Sequence, residues 1–255
     1  MSLYLHEIAE ANHKILNPFT EEKLMTVAAA CRLRADSTVL DLACGKAEML
    51  AQWAHHYRIS GVGVDISSVF IEAARARVEE MGLVNRIHLV EQDAATYHSD
   101  VKFDVVSCIG ATWIGNGIVG TLKLMQEMVK PDGILLVGEP YWIDPPTPEA
   151  MAAIDMNEED YVSLEKTFER ISEAGYELVE MVLANQDSWD RYEAGQWRTL
   201  DEWLRNHDDD HPQAAEVRHM LVHGRDTYIR YQRRYLGWGV FVLRLARRPS
   251  PRIQG

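Results

Sequence analysis

Short apolar runs alternate along the first half of the chain with longer stretches whose apolar residues recur every three or four positions. The runs at 39–42, 61–64, 87–90, 103–108 and 134–137 are too continuous for half-exposed strands and predict parallel strands buried on both faces. Between them, residues 47–56, 67–81 and 118–129 carry the helical period, the last closed by the stop and turn signal Lys130-Pro131-Asp132-Gly133. Strand and helix in alternation predict an α/β fold on a doubly wound sheet.

The flanks differ. Residues 3–14 and 21–33 read as helices, separated by Asn17-Pro18-Phe19-Thr20, with Thr20 a good N-cap ahead of Glu21 and Glu22. Residues 140–148 hold four prolines and two aromatics, a composition expected of a loop over the sheet's edge and not of a central strand. A helix is expected at 161–174, ended by Gly175, then strands at 176–184 and 238–246, where Val240 and Val242 alternate with Arg244. The polar, aromatic-rich insertion between these strands is helical in pattern at 199–207 and 212–235, too long for a simple loop and therefore read as a lid. The expected organisation is an N-terminal helical extension (1–37), a core (38–184 and 238–246), a helical lid (185–237) and a frayed tail (247–255).

With 255 residues, 47% hydrophobic and 25% charged, the chain suits one globular domain with additions. Its net charge of −13 repels phosphate backbones, so no nucleic-acid partner is expected. Cys31, Cys44 and Cys108 form no Cys-x-x-Cys pair, which argues against a disulfide framework or structural zinc and fits a cytoplasmic protein. His6, Glu7 and Glu10 interrupt the first apolar stretch, and no run reaches membrane-spanning length, so neither a secretory leader nor a membrane partner is expected.

The chemistry concentrates where strands end. Asp41-Leu42-Ala43-Cys44-Gly45 carries the first strand into a turn of small residues that lets a ligand approach the backbone. The second strand ends on Asp65-Ile66, an acid placed to accept both hydroxyls of a ribose. Gln92-Asp93-Ala94 follows the third strand, where an amide or carboxylate meets an adenine amino group, and Cys108-Ile109-Gly110-Ala111 closes the fourth with another small turn. Over residues 39–139 these segments resemble the class I S-adenosylmethionine-dependent methyltransferase family.

That resemblance implies a Rossmann-like, seven-stranded, mostly parallel sheet with N-terminal helices and the lid inserted between the last two strands. It implies S-adenosyl-L-methionine as cofactor, with Asp65 and Asp93 as the acids after the second and third strands and Asp41 orienting the first turn. In the family's acid-x-Gly-x-Gly-x-Gly pattern Ala43 takes the first glycine place, Gly45 the second and Ala47 the third. Alanine keeps room for a methionine tail provided the backbone at 43 and 47 needs no positive φ. The N-terminal helices, with His6, His13, Asn17 and Phe19, resemble the extension that small-molecule members fold over the cofactor.

Transfer from a sulfonium needs mainly an in-line approach in a dry site, because the cofactor brings the activated group. Glu139, at the end of the fifth strand, is the candidate base for an acceptor that must lose a proton. Trp113, Tyr141, Trp142, Trp189, Tyr192 and Trp197 are the candidate walls for a small, apolar acceptor. His207-Asp208-Asp209-Asp210-His211 is contiguous and reads as a solvated turn, so no metal is expected. Two alternatives compete. A nicotinamide-dependent dehydrogenase would need the missing Gly-x-Gly-x-x-Gly; a methyltransferase-like binding or scaffold protein without turnover is suggested by Ala43 and Ala47.

Overall fold

Strands β1 (Thr38–Leu42), β2 (Ser60–Asp65), β3 (Ile87–Glu91), β4 (Phe103–Ile109), β5 (Val129–Trp142), β6 (Tyr176–Leu183) and β7 (Leu236–Leu245) form one seven-stranded sheet in the order β3-β2-β1-β4-β5-β7-β6. The computed structural model describes residues 2–154 and 161–246; the tail expected at 247–255 lies outside them. β1 to β5 pair in parallel, and β7 runs antiparallel between β5 and β6. The fold is thus the mostly parallel, Rossmann-like α/β sheet that the alternation of runs implies.

Helices α1 (Leu3–Ala9), α2 (Glu21–Ala30), α3 (Glu48–Tyr57), α4 (Ser68–Glu80), α5 (Ile118–Gln126), α6 (Pro148–Ile154), α7 (Leu164–Glu173), α8 (Gln186–Asn206) and α9 (Ala214–Thr227) surround it. The parallel strands alternate their side chains between two cores. Val39, Val105 and Leu136 meet Val27, Leu50 and Trp53 on one face, whereas Leu40, Val106 and Leu135 meet Leu122, Met125 and Ile171 on the other. Both faces are dry, which is why the strands read as unbroken apolar runs. Caps fix helix entries: Thr20 Oγ1, as the sequence suggests, accepts from Lys23 N at 3.3 Å, and Ser67 Oγ accepts from Phe70 N at 3.1 Å.

Four expectations are corrected. The first helix stops at Ala9, not at residue 14, because Lys46 Nζ takes the carbonyls of Glu10, Ala11 and His13, each at 2.8 Å. Residues 140–142 continue β5, opposite Leu236, Gly237 and Trp238 of β7, where a loop was expected. Gly138 O receives Gly110 N at 2.7 Å and Trp142 N donates to Val162 O at 2.9 Å. The intervening Pro140 therefore directs its missing N–H to the side where β4 has ended, which removes no ladder bond. Pro131 and Gly133 lie within β5 too, in an irregularity between the Phe103 and Val105 pairings. Finally, α8 is 21 residues long and starts well before residue 199, capped by Asn185 Oδ1 on Ser188 N at 2.8 Å.

Helices α1, α8 and α9 share a small core of their own, Ile8, Ala9, Leu200, Val217 and Leu221. A π-helical turn, Tyr228–Gln232, and a short helix, Arg233–Tyr235, join α9 to β7 and bury Tyr228 and Tyr235. Arg233 holds Asp190 at 2.9 and 3.0 Å, and Arg230 holds Asp226 at 2.6 Å, so these arginines are paired on the surface.

Between α3 and α4 the Arg77 guanidinium grips the buried Glu48 carboxylate at 2.8 and 2.9 Å. It is a bidentate pair whose removal leaves an unpaired charge inside. Arg77→Ala is expected to destabilise the fold by about 3 kcal/mol, read from urea unfolding; Glu48→Gln combined with Arg77→Met should recover more than half of that loss.

Candidate functional site

The strand order reverses direction at β1, between β2 on one side and β4 on the other, and the carboxyl ends of these strands open a crevice there. The turn after β1 holds Ala43, Gly45 and Ala47 at φ of 59°, 54° and 56°. The proviso that alanine there needs no positive φ is therefore not met, and both alanines carry left-handed strain of roughly 1 kcal/mol each. The turn is held because Cys44 N donates to Val64 O at 2.9 Å and Gly45 N donates to Asp65 Oδ2 at 2.7 Å. Asp65 Oδ1 takes Ser67 N at 2.9 Å, so backbone amides fix both oxygens and leave lone pairs facing the crevice.

A cleft of ≈ 450 Å³ lies above these ends. Asp41, Ala43, Gly45, Asp65 and Ile66 line one side of it. Asp93, Ala94, Gly110 and Trp113 line another. Asp93 Oδ1 takes Ala95 N at 2.9 Å and caps a short 3₁₀ turn, while Trp113 stands 71% exposed at the mouth.

The N-terminal segment completes the walls with Leu3, His6, Lys14, Leu16 and Asn17. Leu16 sits so closely on Gly45 that a Cβ there would come within 2.7 Å of its Cδ1, which accounts for glycine at that one place in the turn. His6 meets Phe70 edge-on at 5.5 Å, and Asn17 Oδ1 is buried without a hydrogen-bond partner. Sequence reasoning groups His6 and Asn17 with the extension but misses Lys14, Leu16 and Phe70. Their only signal is proximity to a motif distant in the chain.

Other candidates stand away from this cleft. Gln92 turns to Thr96 Oγ1 at 3.3 Å, and Cys108 is wholly inside the core. Glu139 is buried with Thr112 as its hydrogen-bond partner and Arg170 nearby; the structure does not bring it to the cleft wall. Tyr141 packs against Gly237, and Trp142 joins Ala150, Ile154 and Tyr235 in a satellite core. Trp189 donates to Glu193 Oε1 at 3.2 Å, and Trp197 meets Tyr228 at 5.8 Å. Tyr192 stacks on His13 at 5.0 Å and donates to the buried Glu10 at 2.5 Å. At 207–211, His207 stacks on Trp203 at 3.9 Å, and among the described residues no group of three metal-ligating side chains converges.

Burial sets the electrostatics. Asp41 is pushed up to about 7 by desolvation, partly offset by the Ser107 hydroxyl at 2.6 Å and reinforced by Asp65. Asp65 is also raised by burial, against the amides of Ser67 and Gly45 that favour its charged form. Glu139 and Glu193 are both pushed up to about 7, again mainly by burial. The cleft therefore presents two crowded acids with anchored geometry, suited to ribose hydroxyls and to a positively charged ligand.

Known proteins match this arrangement. A family model described as a methyltransferase domain covers residues 39–133. The uncharacterized protein YjhP of Escherichia coli strain K12 is 44% identical over 239 residues, 92% of this chain and 96% of that protein. A SAM-dependent methyltransferase from Geobacter sulfurreducens, solved with S-adenosyl-L-homocysteine, superposes with a TM-score of 0.92 at 43% identity, covering 96% of this chain and 98% of that one. The chain belongs to the class I S-adenosylmethionine-dependent methyltransferases. A second such methyltransferase, from Thiobacillus denitrificans and also with S-adenosyl-L-homocysteine, gives a TM-score of 0.91 at 43% identity over 97% of this chain and 99% of that one. The protein is thus an enzyme of this family, and S-adenosyl-L-methionine is its cofactor. The residues present fit that group: the anchored Asp65 and the small-residue turn both line the cleft.

Two outcomes follow for this methyltransferase. Ala47→Gly should raise stability by at most about 0.6 kcal/mol, since about 1 kcal/mol of left-handed strain is relieved against about 0.4–1 kcal/mol of added freedom in the unfolded chain; urea unfolding measures it. Asp41, Glu139 and Glu193 have folded pKa values near 7, above their unfolded values. The stability they contribute is complete below about pH 4 and is lost as pH rises through about 7. The urea midpoint is expected to fall between pH 5 and 8, and Glu193→Gln to make that fall shallower; an unchanged slope in the variant would show that Glu193 is already ionised in the fold.

Proposed function

We propose that this methyltransferase methylates a small, largely apolar molecule in the cytoplasm. The observation that carries the reading is the closure of the cleft by the chain's own N-terminal segment: Leu3, His6, Leu16 and Asn17 line a space of ≈ 450 Å³. A space of that size accommodates a cofactor with a small acceptor and has no room for a folded macromolecule. The net charge of −13 further disfavours a polyanion, and among the described residues no helix is long and apolar enough to cross a membrane.

In this reading Asp65 receives the ribose hydroxyls, Ile66 and Ala94 close on the adenine, and Asp93 offers its remaining oxygen to the adenine amino group. Asp41, Ala43, Gly45 and Gly110 bound the methionyl end. When bound, the cofactor supplies a methyl on a sulfonium. The chain's task is then to orient the acceptor along the line of that bond and to exclude water. Trp113, at the mouth, is the aromatic best placed to meet an acceptor. Glu139 serves by holding Thr112, and with it the turn that carries Ala111 and Trp113, instead of by taking a proton itself. Gln92 supports the turn after β3, while Tyr141, Trp142, Trp189 and Trp197 shape the packing beneath a lid formed by α1 with residues 185–237. No metal enters the scheme.

Calorimetry with S-adenosylmethionine and S-adenosylhomocysteine tests the cofactor seat. Wild type should bind both, and Asp65→Ala should lose about 100-fold, or ~2.7 kcal/mol, because charge-assisted bonds to ribose go together with the anchor of Gly45. Turnover assays on a panel of small apolar acceptors then test the substrate class. Methylation confined to protein or nucleic-acid acceptors would overturn it.

A further inference from the structure

Besides the Ser67 hydroxyl on Glu7 Oε1 at 2.6 Å, the N-terminal segment is tied to the rest of the site through Lys46, a residue of the cofactor turn itself. Its neighbours are Gly45, whose amide holds Asp65, and Ala47, the left-handed residue at the entry to α3. An ammonium has three N–H donors, and Lys46 Nζ places them on the carbonyls of Glu10, Ala11 and His13, each at 2.8 Å. In a continuing α1 those carbonyls would accept amides four residues on. Lys46 replaces that helical turn, so the segment bends back and lays Leu16 on Gly45. The face of Phe70 lies 5.9 Å from the same ammonium.

From Glu10 the connection runs on to α8. The Glu10 side chain is wholly buried, and its Oε1 receives the Tyr192 hydroxyl at 2.5 Å and Gln196 Nε2 at 2.8 Å. Its Oε2 lies 2.8 Å from His13 Nδ1, and Gly195 lets that imidazole approach, since a Cβ there would overlap it. One residue thus joins the cofactor turn to the N-terminal segment through its main chain, and the same segment grips α8 through the buried Glu10 carboxylate, the His13–Tyr192 stack and the Asn12–Glu202 bond at 3.1 Å.

We propose that Lys46 is a positioning residue that couples the cofactor seat to α8, so that seating the cofactor orders the lid and the acceptor binds second. Lys46 lies along the cleft, but its ammonium is spent on the three carbonyls of the N-terminal segment, and it acts through Glu10. The inference rests on the proposed lid over the acceptor side.

Hydrogen exchange of the full chain, with and without S-adenosylhomocysteine, tests it. In wild type the ligand should slow exchange at 39–66, at 10–19 and across 186–206. In Lys46→Met the ligand should still protect 39–66, with affinity about tenfold weaker, but no longer protect 186–206; Lys46→Arg should restore much of that protection. Tyr192→Phe, which leaves Lys46 in place, should lose protection at 186–206 and keep it at 10–19, and it serves if Lys46→Met does not fold. Protection of 186–206 retained in a folded Lys46→Met overturns the coupling, and complete loss of ligand binding in that variant would make Lys46 a direct ligand instead. If wild type shows protection at 39–66 only, the coupling fails while the cofactor seat stands; no protection at 39–66 would remove the seat as well.

Discussion

The site depends on one carboxylate held by two backbone amides. Asp65 ends β2, and its oxygens take Gly45 N at 2.7 Å and Ser67 N at 2.9 Å. The turn after β1 and the start of α4 are therefore both tied to a single side chain. Burial raises the cost of ionising it, and the amides reduce that cost. A group in that balance stays fixed without being neutralised by a nearby lysine or arginine, which would occupy its remaining lone pairs. The geometry of the turn, strained alanines included, is maintained because giving it up would also release the acid.

The second tie runs from the same turn outward. Lys46 holds the main chain of the N-terminal segment, and Glu10 holds α8. The extension and the insertion, far apart in the chain, consequently share a core with Ile8, Leu200 and Val217. So small a core does not stand alone, and the extension and the insertion therefore depend also on their contacts with the turn after β1.

The core of the fold was legible because parallel strands dry on both faces must read as apolar runs, and small residues must follow where a ligand approaches. Asp41, Asp65, Asp93 and Gly110 were found at the cleft for that reason. The β5 extension was missed because Pro140 forbids a strand only where its N–H has a partner, and the end of β4 that removes the partner is a tertiary fact. The aromatic walls were misplaced on the same ground: Tyr141, Trp142 and Trp197 look like ligand contacts by type, but only packing shows them covering Gly237, Ala150 and Tyr228. Glu139 was placed at the right end of the right strand, yet a strand's two faces differ by a single residue, and its carboxyl meets Thr112. Lys46 carried no signal in a motif read for its glycines, because its partners are carbonyls of 10, 11 and 13.

The two acids of the cleft also bear on how donor differs from product there. Burial raises both Asp41 and Asp65 above their ordinary values, so a positive charge beside them would favour the ionised forms that burial opposes. A sulfonium carries such a charge and the thioether left after transfer does not, although the two share nearly the same shape. The contacts to ribose and adenine are common to both and cannot distinguish them. Charge, and not shape, would therefore distinguish a sulfonium from a thioether beside these buried acids, with no change needed in the packing of the cleft.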